Sequence, residues 1–253
     1  MSTHRERIVD QFTRQAVPFS GAPGIKDERA LALLVEASGA GPDDTVLDVA
    51  CGPGLVVAAF ARVVRHATGI DVTPAMLARA REVTAGLSNV TLDHGDVLPL
   101  PYADGTFSIV VSRFAFHHFQ DPRAVLAEMR RVCRPGGRVV VCDLTASDDP
   151  VKADAFHRIE MLRDPSHVRA LPLAELEALY AAVGLAPPTQ TFYRLRFELE
   201  GLLERSFPRP EDVETIRDAY TAAVDGDTLG LGTHRVGDEI RAAYNVVILS
   251  APR

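Results

Sequence analysis

From residue 45 onward, the chain alternates short, apolar, β-branched runs with longer stretches whose apolar residues recur every three or four positions. Such alternation predicts parallel strands joined by crossover helices, an α/β fold. Strands are expected over 45–49, 67–71, 90–94, 107–112 and 137–143. Between them, Thr73 followed by Pro74 reads as a helix start; the helix buries Met76, Leu77 and Ala80 and stops short of Gly86. Asp121-Pro122 repeats that start. The helix it opens sets Val125, Met129 and Val132 on one stripe and is expected to end at Pro135-Gly136-Gly137, where a left-handed residue precedes the next strand.

Outside this array the pattern loosens. Helices are expected around 153–162 and 173–183, followed by strand-like runs over 189–199 and 243–250 that can extend the sheet. Alternation in Phe192-Tyr193-Arg194-Leu195-Arg196-Phe197 predicts a strand with one buried face. Ahead of residue 45, an apolar helix over 30–37 ends at Gly39, and Phe12, Val17 and Phe19 mark a flap in an otherwise polar segment. Clusters at 18–24, 145–150, 186–189 and 207–210 read as loops, none long enough to separate two domains.

Composition narrows the class. The 253 residues are 47% hydrophobic and 24% charged, so a self-sufficient core is expected without a metal or disulfide staple. Lys and Arg number 27 against 34 Asp and Glu, a formal charge of −7, which disfavours nucleic acid and acidic membranes as main partners. Cys51, Cys133 and Cys142 are widely spaced and read as reduced thiols, and no metal site is expected. From the polar opening no export signal is expected, and no apolar run approaches the roughly 18 residues that span a bilayer. A cytoplasmic protein is expected.

The chemistry gathers where strands end. The first strand runs into Asp48-Val49-Ala50-Cys51-Gly52-Pro53-Gly54, and an open α/β sheet binds its ligand beyond such strand ends. Gly52 and Gly54 let backbone approach a ligand, although a Gly-x-Gly alone is equally a tight turn. Asp71 ends the second strand nineteen residues after Gly52, where an acid would grip both hydroxyls of a ribose. In Gly95-Asp96-Val97, after the third strand, the carboxylate could accept from an adenine amino group while Val97 packs on the ring. A nicotinamide cofactor makes similar demands, but its fingerprint continues to a glycine or alanine where this chain has Val57. Asp48 beside the turn also suits a cationic ligand better than a pyrophosphate. S-adenosylmethionine has adenine, ribose, a cationic sulfonium and an amino-acid tail, and no phosphate.

At these residues the chain resembles the class I S-adenosylmethionine-dependent methyltransferases, within them the branch related to ubiquinone and menaquinone biosynthesis. The stretches that carry the resemblance are 46–54, Gly69-Ile70-Asp71, Gly95-Asp96, Phe114 to Phe119 with Asp121-Pro122, and 126–137, together covering roughly residues 8–145. The resemblance implies a seven-stranded, mostly parallel sheet with an antiparallel last strand and helices on both faces. It places Asp48, Ala50 (the family's usual first glycine), Gly52 and Gly54 under the methionine portion. Asp71 with Val72 would hold the ribose, Asp96 and Val97 would frame the adenine with Met76 near it, and the backbone around Arg113 would meet the methionine ammonium. Phe12 and Phe19 would belong to a lid. The implied layout is one methyltransferase domain over 1–253: lid 1–29, cofactor-binding core 30–145, cap 146–188 over the acceptor, and 189–253 carrying the C-terminal strands and acceptor-site elements.

His117 and His118 follow the fourth strand, where the methyl group would sit, and either could serve as proton acceptor at neutral pH while the other is structural. Asp143, after the fifth strand, would assist. His157 and His167 are expected at most to line the acceptor pocket. The expected activity is methyl transfer to a small molecule at an oxygen, nitrogen or carbon atom, in secondary metabolism or quinone-like biosynthesis. A protein that binds the cofactor without methylating is the alternative reading, and an RNA methyltransferase is disfavoured by the acidic balance.

Overall fold

A computed structural model describes residues 3–253. Five strands form a parallel array: β1 (Thr45–Val49), β2 (His66–Asp71), β3 (Val90–His94), β4 (Phe107–Arg113) and β5 (Cys133–Thr145). β6 (Thr189–Glu198) and β7 (His234–Val236) both run antiparallel to the long β8 (Glu239–Pro252), which is itself antiparallel to β5. Spatial order is β3-β2-β1-β4-β5-β8-β6, with β7 paired to β8 off this path, an eighth short strand added to the seven expected.

Consecutive residues of each central strand face opposite layers, which is why these strands read as unbroken apolar runs. Val46, Ile109, Val111, Val140 and Ile248 belong to one core cluster, whereas Leu47, Val110, Val139, Val141 and Leu249 belong to the other. The first layer includes α2 (Glu28–Ser38), α3 (Leu55–Ala61), α6 (Pro150–Arg163), α8 (Leu199–Ser206) and α9 (Val213–Gly226). The second includes α5 (Pro122–Val132) and α7 (Leu173–Ala182). Strand order reverses between β1 and β4, so a crevice opens at their carboxyl ends beside α4 (Pro74–Val83).

Several boundaries depart from the sequence pattern. The segment expected as a flap and a loop is helix α1 (His4–Gly21), which passes through Pro18. Its first turn is closed by a capping box, with Thr3 Oγ1 accepting from Glu6 N–H and Glu6 accepting from Thr3 N–H. Arg79 on α4 donates to Ser20 (2.9 Å), and Gln11 and Gln15 donate to the Ser206 carbonyl on α8 (2.6 and 3.3 Å), so α1 bridges two helices. Helix α5 ends at Val132, where Cys133 turns extended, rather than at the Pro-Gly-Gly. The left-handed residue there, Gly136, sits inside β5 at a register shift, and a Cβ on Gly137 would collide with the Ser108 carbonyl. Thr73 makes no side-chain cap on α4. No described helix is long and apolar enough to cross a membrane.

Candidate active site

A cavity of about 430 Å³ fills the crevice at the carboxyl ends of β1, β2 and β4. Asp48, Ala50, Gly52, Asp71, Val72, Met76, Asp96, Val97 and Arg113 line it, and α1 covers it with Phe12 and Phe19. Gly54 is the exception among the expected ligand contacts. It lies outside the lining, and a Cβ there would stand 2.8 Å from the Cβ of Ala80, so its role is to let α3 start close against α4.

The turn after β1 is built from left-handed residues: Ala50 at φ 58°, Gly52 at φ 51° and Gly54 at φ 77°. The position of a Gly52 Cβ has nothing within 4 Å, so the backbone there faces open cavity. Ala50 holds a conformation that costs an L-residue energy, which localises strain at the ligand-facing turn. Asp71 fixes this turn from below. Its Oδ2 accepts from Gly52 N–H and its Oδ1 from Thr73 N–H, both at 2.8 Å. The carboxylate expected to serve a ribose alone therefore also anchors the loop and the start of α4, with lone pairs left over for a ligand.

Two residues of opposite charge that line the cavity keep some buried polar atoms without hydrogen-bond partners. Asp48 is 2% exposed and its Oδ2 has no hydrogen bond, while Arg113 donates from Nη1 to the Ile25 carbonyl (2.9 Å) and leaves Nε and Nη2 unpaired. Burial, then the charge of Asp71, pushes the Asp48 carboxyl well above its usual range, with Arg113 acting in the opposite sense. Asp96 holds the next loop by accepting from Val97 N–H at 2.7 Å.

The two histidines diverge although they are neighbours in a single 3₁₀ turn, Phe116–His118. His117 is not part of the large cavity's wall but lines a smaller neighbouring chamber, and its Nδ1 donates to Asp143 Oδ1 at 2.5 Å. Asp143 is 1% exposed, lines neither the large cavity nor the smaller chamber, and accepts from Phe116 N–H and Leu144 N–H, both at 2.6 Å. The expected assistance of Asp143 therefore goes to His117. Burial opposes protonation of His117, yet the Asp143 charge and hydrogen bond raise its pKa overall.

His118 lines the large cavity and also a second chamber of about 110 Å³. Its Nδ1 lies 3.1 Å from the Ser166 carbonyl, which fixes the proton on Nδ1 and leaves Nε2 as the free acceptor. Ser166 is held by Asp164, whose Oδ1 accepts from Ser166 Oγ–H (2.5 Å) and N–H (2.9 Å). Burial and neighbouring His117 lower the His118 pKa to about 4. Behind the pair, His167 is 4% exposed with neither ring nitrogen partnered, and its ring lies 5.4 Å from that of His157. Neither His157 nor His167 lines a chamber, and among the described residues no cluster of three or more His, Cys, Asp and Glu is arranged to hold a metal.

Sequence reasoning missed several lining residues. Phe114 faces both chambers at φ 57°, a strained backbone that composition does not announce. The second chamber is walled by Leu195, Arg196 and Phe197 of β6, by Leu202, Arg205 and Ser206, and by Tyr244. Of the segment expected as a cap, only Arg163 and Asp164 reach it.

Residues 47–141 match a methyltransferase-domain family. The chain is 32% identical over 196 residues, 77% of its own length and 78% of the relative's, to the uncharacterized methyltransferase YcgJ of Bacillus subtilis. The solved structure of YcgJ superposes with a TM-score of 0.82 at 26% identity, covering 89% of this chain and 98% of that one. A candidate methyltransferase of Bacillus halodurans superposes equally, with a TM-score of 0.82, 25% identity and coverage of 88% and 98%. Identity with demethylmenaquinone methyltransferase of Staphylococcus aureus is 39% over 108 residues, 42% of this chain and 45% of that enzyme. With the parallel array, the β1 turn and this relationship along three quarters of its length, the chain belongs to the class I S-adenosylmethionine-dependent methyltransferases.

Proposed function

We propose that the protein moves a methyl group from S-adenosylmethionine to a proton-bearing atom of a small molecule, with His118 as the proton acceptor. The observation that carries this reading is that Asp48 and Arg113, buried residues of opposite charge, both line the cavity and each keeps polar atoms without a hydrogen-bond partner. A zwitterionic amino-acid tail is their chemical complement, its ammonium answering the carboxylate and its carboxylate the guanidinium. The residues present therefore fit S-adenosylmethionine, whereas a nicotinamide dinucleotide would bring phosphates toward Asp48.

On this reading Asp48 and Arg113 hold the tail, Asp71 the ribose, and Asp96, Val97 and Met76 the adenine. The bound cofactor supplies a sulfonium methyl group open to in-line displacement. What the chain contributes is placement and proton removal. Phe12 and Phe19 exclude water from above, and holding the two reactants together accounts for much of the acceleration in such displacements. His118 lines both chambers, its Nδ1 held by Ser166, which Asp164 in turn fixes, so that Nε2 is left as the acceptor. A histidine with so low a pKa is a weak base, but it is unprotonated at neutral pH. Weakness suffices here, because a hydroxyl or amine becomes strongly acidic as its heavy atom gains the methyl group.

Titration calorimetry with S-adenosylhomocysteine, set beside the same titration with NAD, tests the cofactor half. Binding of the first and not the second is expected; NAD binding with no response to millimolar S-adenosylhomocysteine would reverse the assignment. His118→Gln tests the proton acceptor. Turnover should fall by about two to four orders of magnitude with cofactor affinity kept, whereas His117→Gln should act mainly on stability.

A further inference from the structure

The second chamber, at about 110 Å³, is walled chiefly by rings. Phe12 and Phe19 of α1 close one part of it, Phe12 meeting Phe19 and His118 edge-on at centroid distances of 6.4 and 5.0 Å. Phe197 and Tyr244 form another part as a stacked pair, 4.6 Å apart and 30° from parallel. The charged side chains on these walls are answered within the protein or turned elsewhere. His117 donates Nδ1–H to Asp143, Arg163 donates to Glu160 and Ser206, and Asp164 accepts from Ser166. Arg196 is exposed, and alternation along β6 sends its side chain to the face opposite Leu195 and Phe197. Its carbonyl is the part near the chamber's edge, 3.6 Å from where a Cβ on Gly24 would stand. Arg205 is laid back along its own helix: its Nη1 and Glu198 Oε2 stand 2.9 and 3.1 Å from the position of a Gly201 Cβ. An occupant therefore meets mostly aromatic and aliphatic surface, with the adjacent imidazoles of His117 and His118, 4.2 Å between ring centres, as hydrogen-bonding groups.

We infer that the second chamber takes a compact, uncharged compound of a single aromatic ring, its ring against Phe12, Phe19, Phe197 and Tyr244 and its hydroxyl at His118. Size sets the first limit. A dry apolar cavity of roughly 150 Å³ takes up benzene, so this chamber has room for one ring and not for two fused rings. Shape sets the second, because a flat ring gains from edge-to-face and offset contacts with aromatic walls. Charge sets the third: an ion would give up its hydration without an unpaired counter-charge to replace it. Phe12, Phe19, Ile25, Phe114 and His118 line both compartments, so a hydroxyl at His118 lies on the boundary with the large cavity. That this compound is the methyl acceptor rests on the methyl-transfer reading. The hydroxyl oxygen then bonds to the methyl carbon as the carbon–sulfur bond breaks, its proton passes to His118 Nε2, and S-adenosylhomocysteine leaves with the sulfur electron pair.

The test uses phenol against 2-naphthol for size, and benzamide against its anionic isostere benzoate for charge. Each is titrated by ligand-observed NMR into the full chain with saturating S-adenosylhomocysteine, which occupies the large cavity. Wild type is compared with Leu202→Trp, which fills the chamber, and Leu202→Ala, which widens it; Leu202 is half-buried on α8, and melting curves check that both variants fold. In wild type, 2-naphthol should bind about tenfold more weakly than phenol, although its larger apolar surface would otherwise favour it. Benzoate should bind about tenfold more weakly than benzamide. Leu202→Trp should lose phenol, and Leu202→Ala should bring 2-naphthol level with phenol or beyond it. Naphthol binding tighter than phenol in wild type, equal binding of benzoate and benzamide, phenol binding retained in folded Leu202→Trp, or no phenol binding up to about 20 mM would overturn the inference. If Leu202→Trp does not fold, a naphthol-to-phenol ratio unchanged in Leu202→Ala overturns it. Should S-adenosylhomocysteine fail to bind while the size and charge preferences persist and respond to Leu202, the methyl-transfer reading falls and the single-ring chamber stands.

Discussion

Asp71 both ties down the turn after β1 and lines the cavity. Because it satisfies the amides of Gly52 and Thr73 as well as facing the cavity, Asp71→Ala should lower cofactor affinity about tenfold or more and also destabilise the fold by about 1–3 kcal/mol for each orphaned N–H. Calorimetry and denaturant melts on the same variant separate the two losses. Ala50 offers the reverse experiment. Glycine at φ 58° removes the left-handed penalty but adds chain entropy, so Ala50→Gly should be neutral or stabilising by up to about 1 kcal/mol in chemical denaturation. His118 adds a pH signature. Its folded pKa lies below the ordinary value, so the unfolded chain binds the extra proton first, and stability contributed by the neutral buried ring is lost as pH falls from about 6.5 toward about 4. Melting temperatures of wild type and His118→Gln should converge over that interval; parallel curves would show that another group controls the acid limb. Positions such as Asp48 and Asp71 were legible in the sequence because strand ends and spacing define them. The separate fates of His117 and His118 were not, since adjacent residues in a 3₁₀ turn leave in directions that only Ser166 and Asp143, far along the chain, decide.

Among elements, the parallel strands were readable because burial on both faces leaves no polar interruption. The N-terminal helix was obscured by Pro18, a helix breaker in most interiors, although Thr3 and Glu6 spell a capping box that marks its start. Helix α9 likewise carries Ile216, Tyr220 and Ala223 at helical spacing, all buried, behind a proline-containing turn that masked the periodicity. Strand β6 buries one face as its alternation predicts, with Tyr193, Leu195 and Phe197 packed against the core, and Leu195 and Phe197 also line the second chamber, which alternation alone does not announce. The attachment of α1 is the element most open to test. Replacing Gln11 and Gln15 by alanine removes its hydrogen bonds to Ser206, and faster amide exchange throughout residues 4–21 is expected, together with weaker cofactor binding. Exchange unchanged from wild type would assign the hold to Arg79 and the aromatic contacts instead.

For the molecule as a whole, the charge of −7 makes counterion release a poor source of affinity, and retention of RNA on filters is expected to be negligible at any salt concentration. Submicromolar, salt-dependent retention would contradict this. Phe12 and Phe19, both on α1, wall the large cavity and the second chamber at once. One helix is therefore the gate for both compartments, and neither can exchange its contents with solvent through that side while α1 stays seated. The residence times of the two ligands should in consequence be linked: an occupied second chamber props the helix in place and delays escape of the nucleoside beneath it.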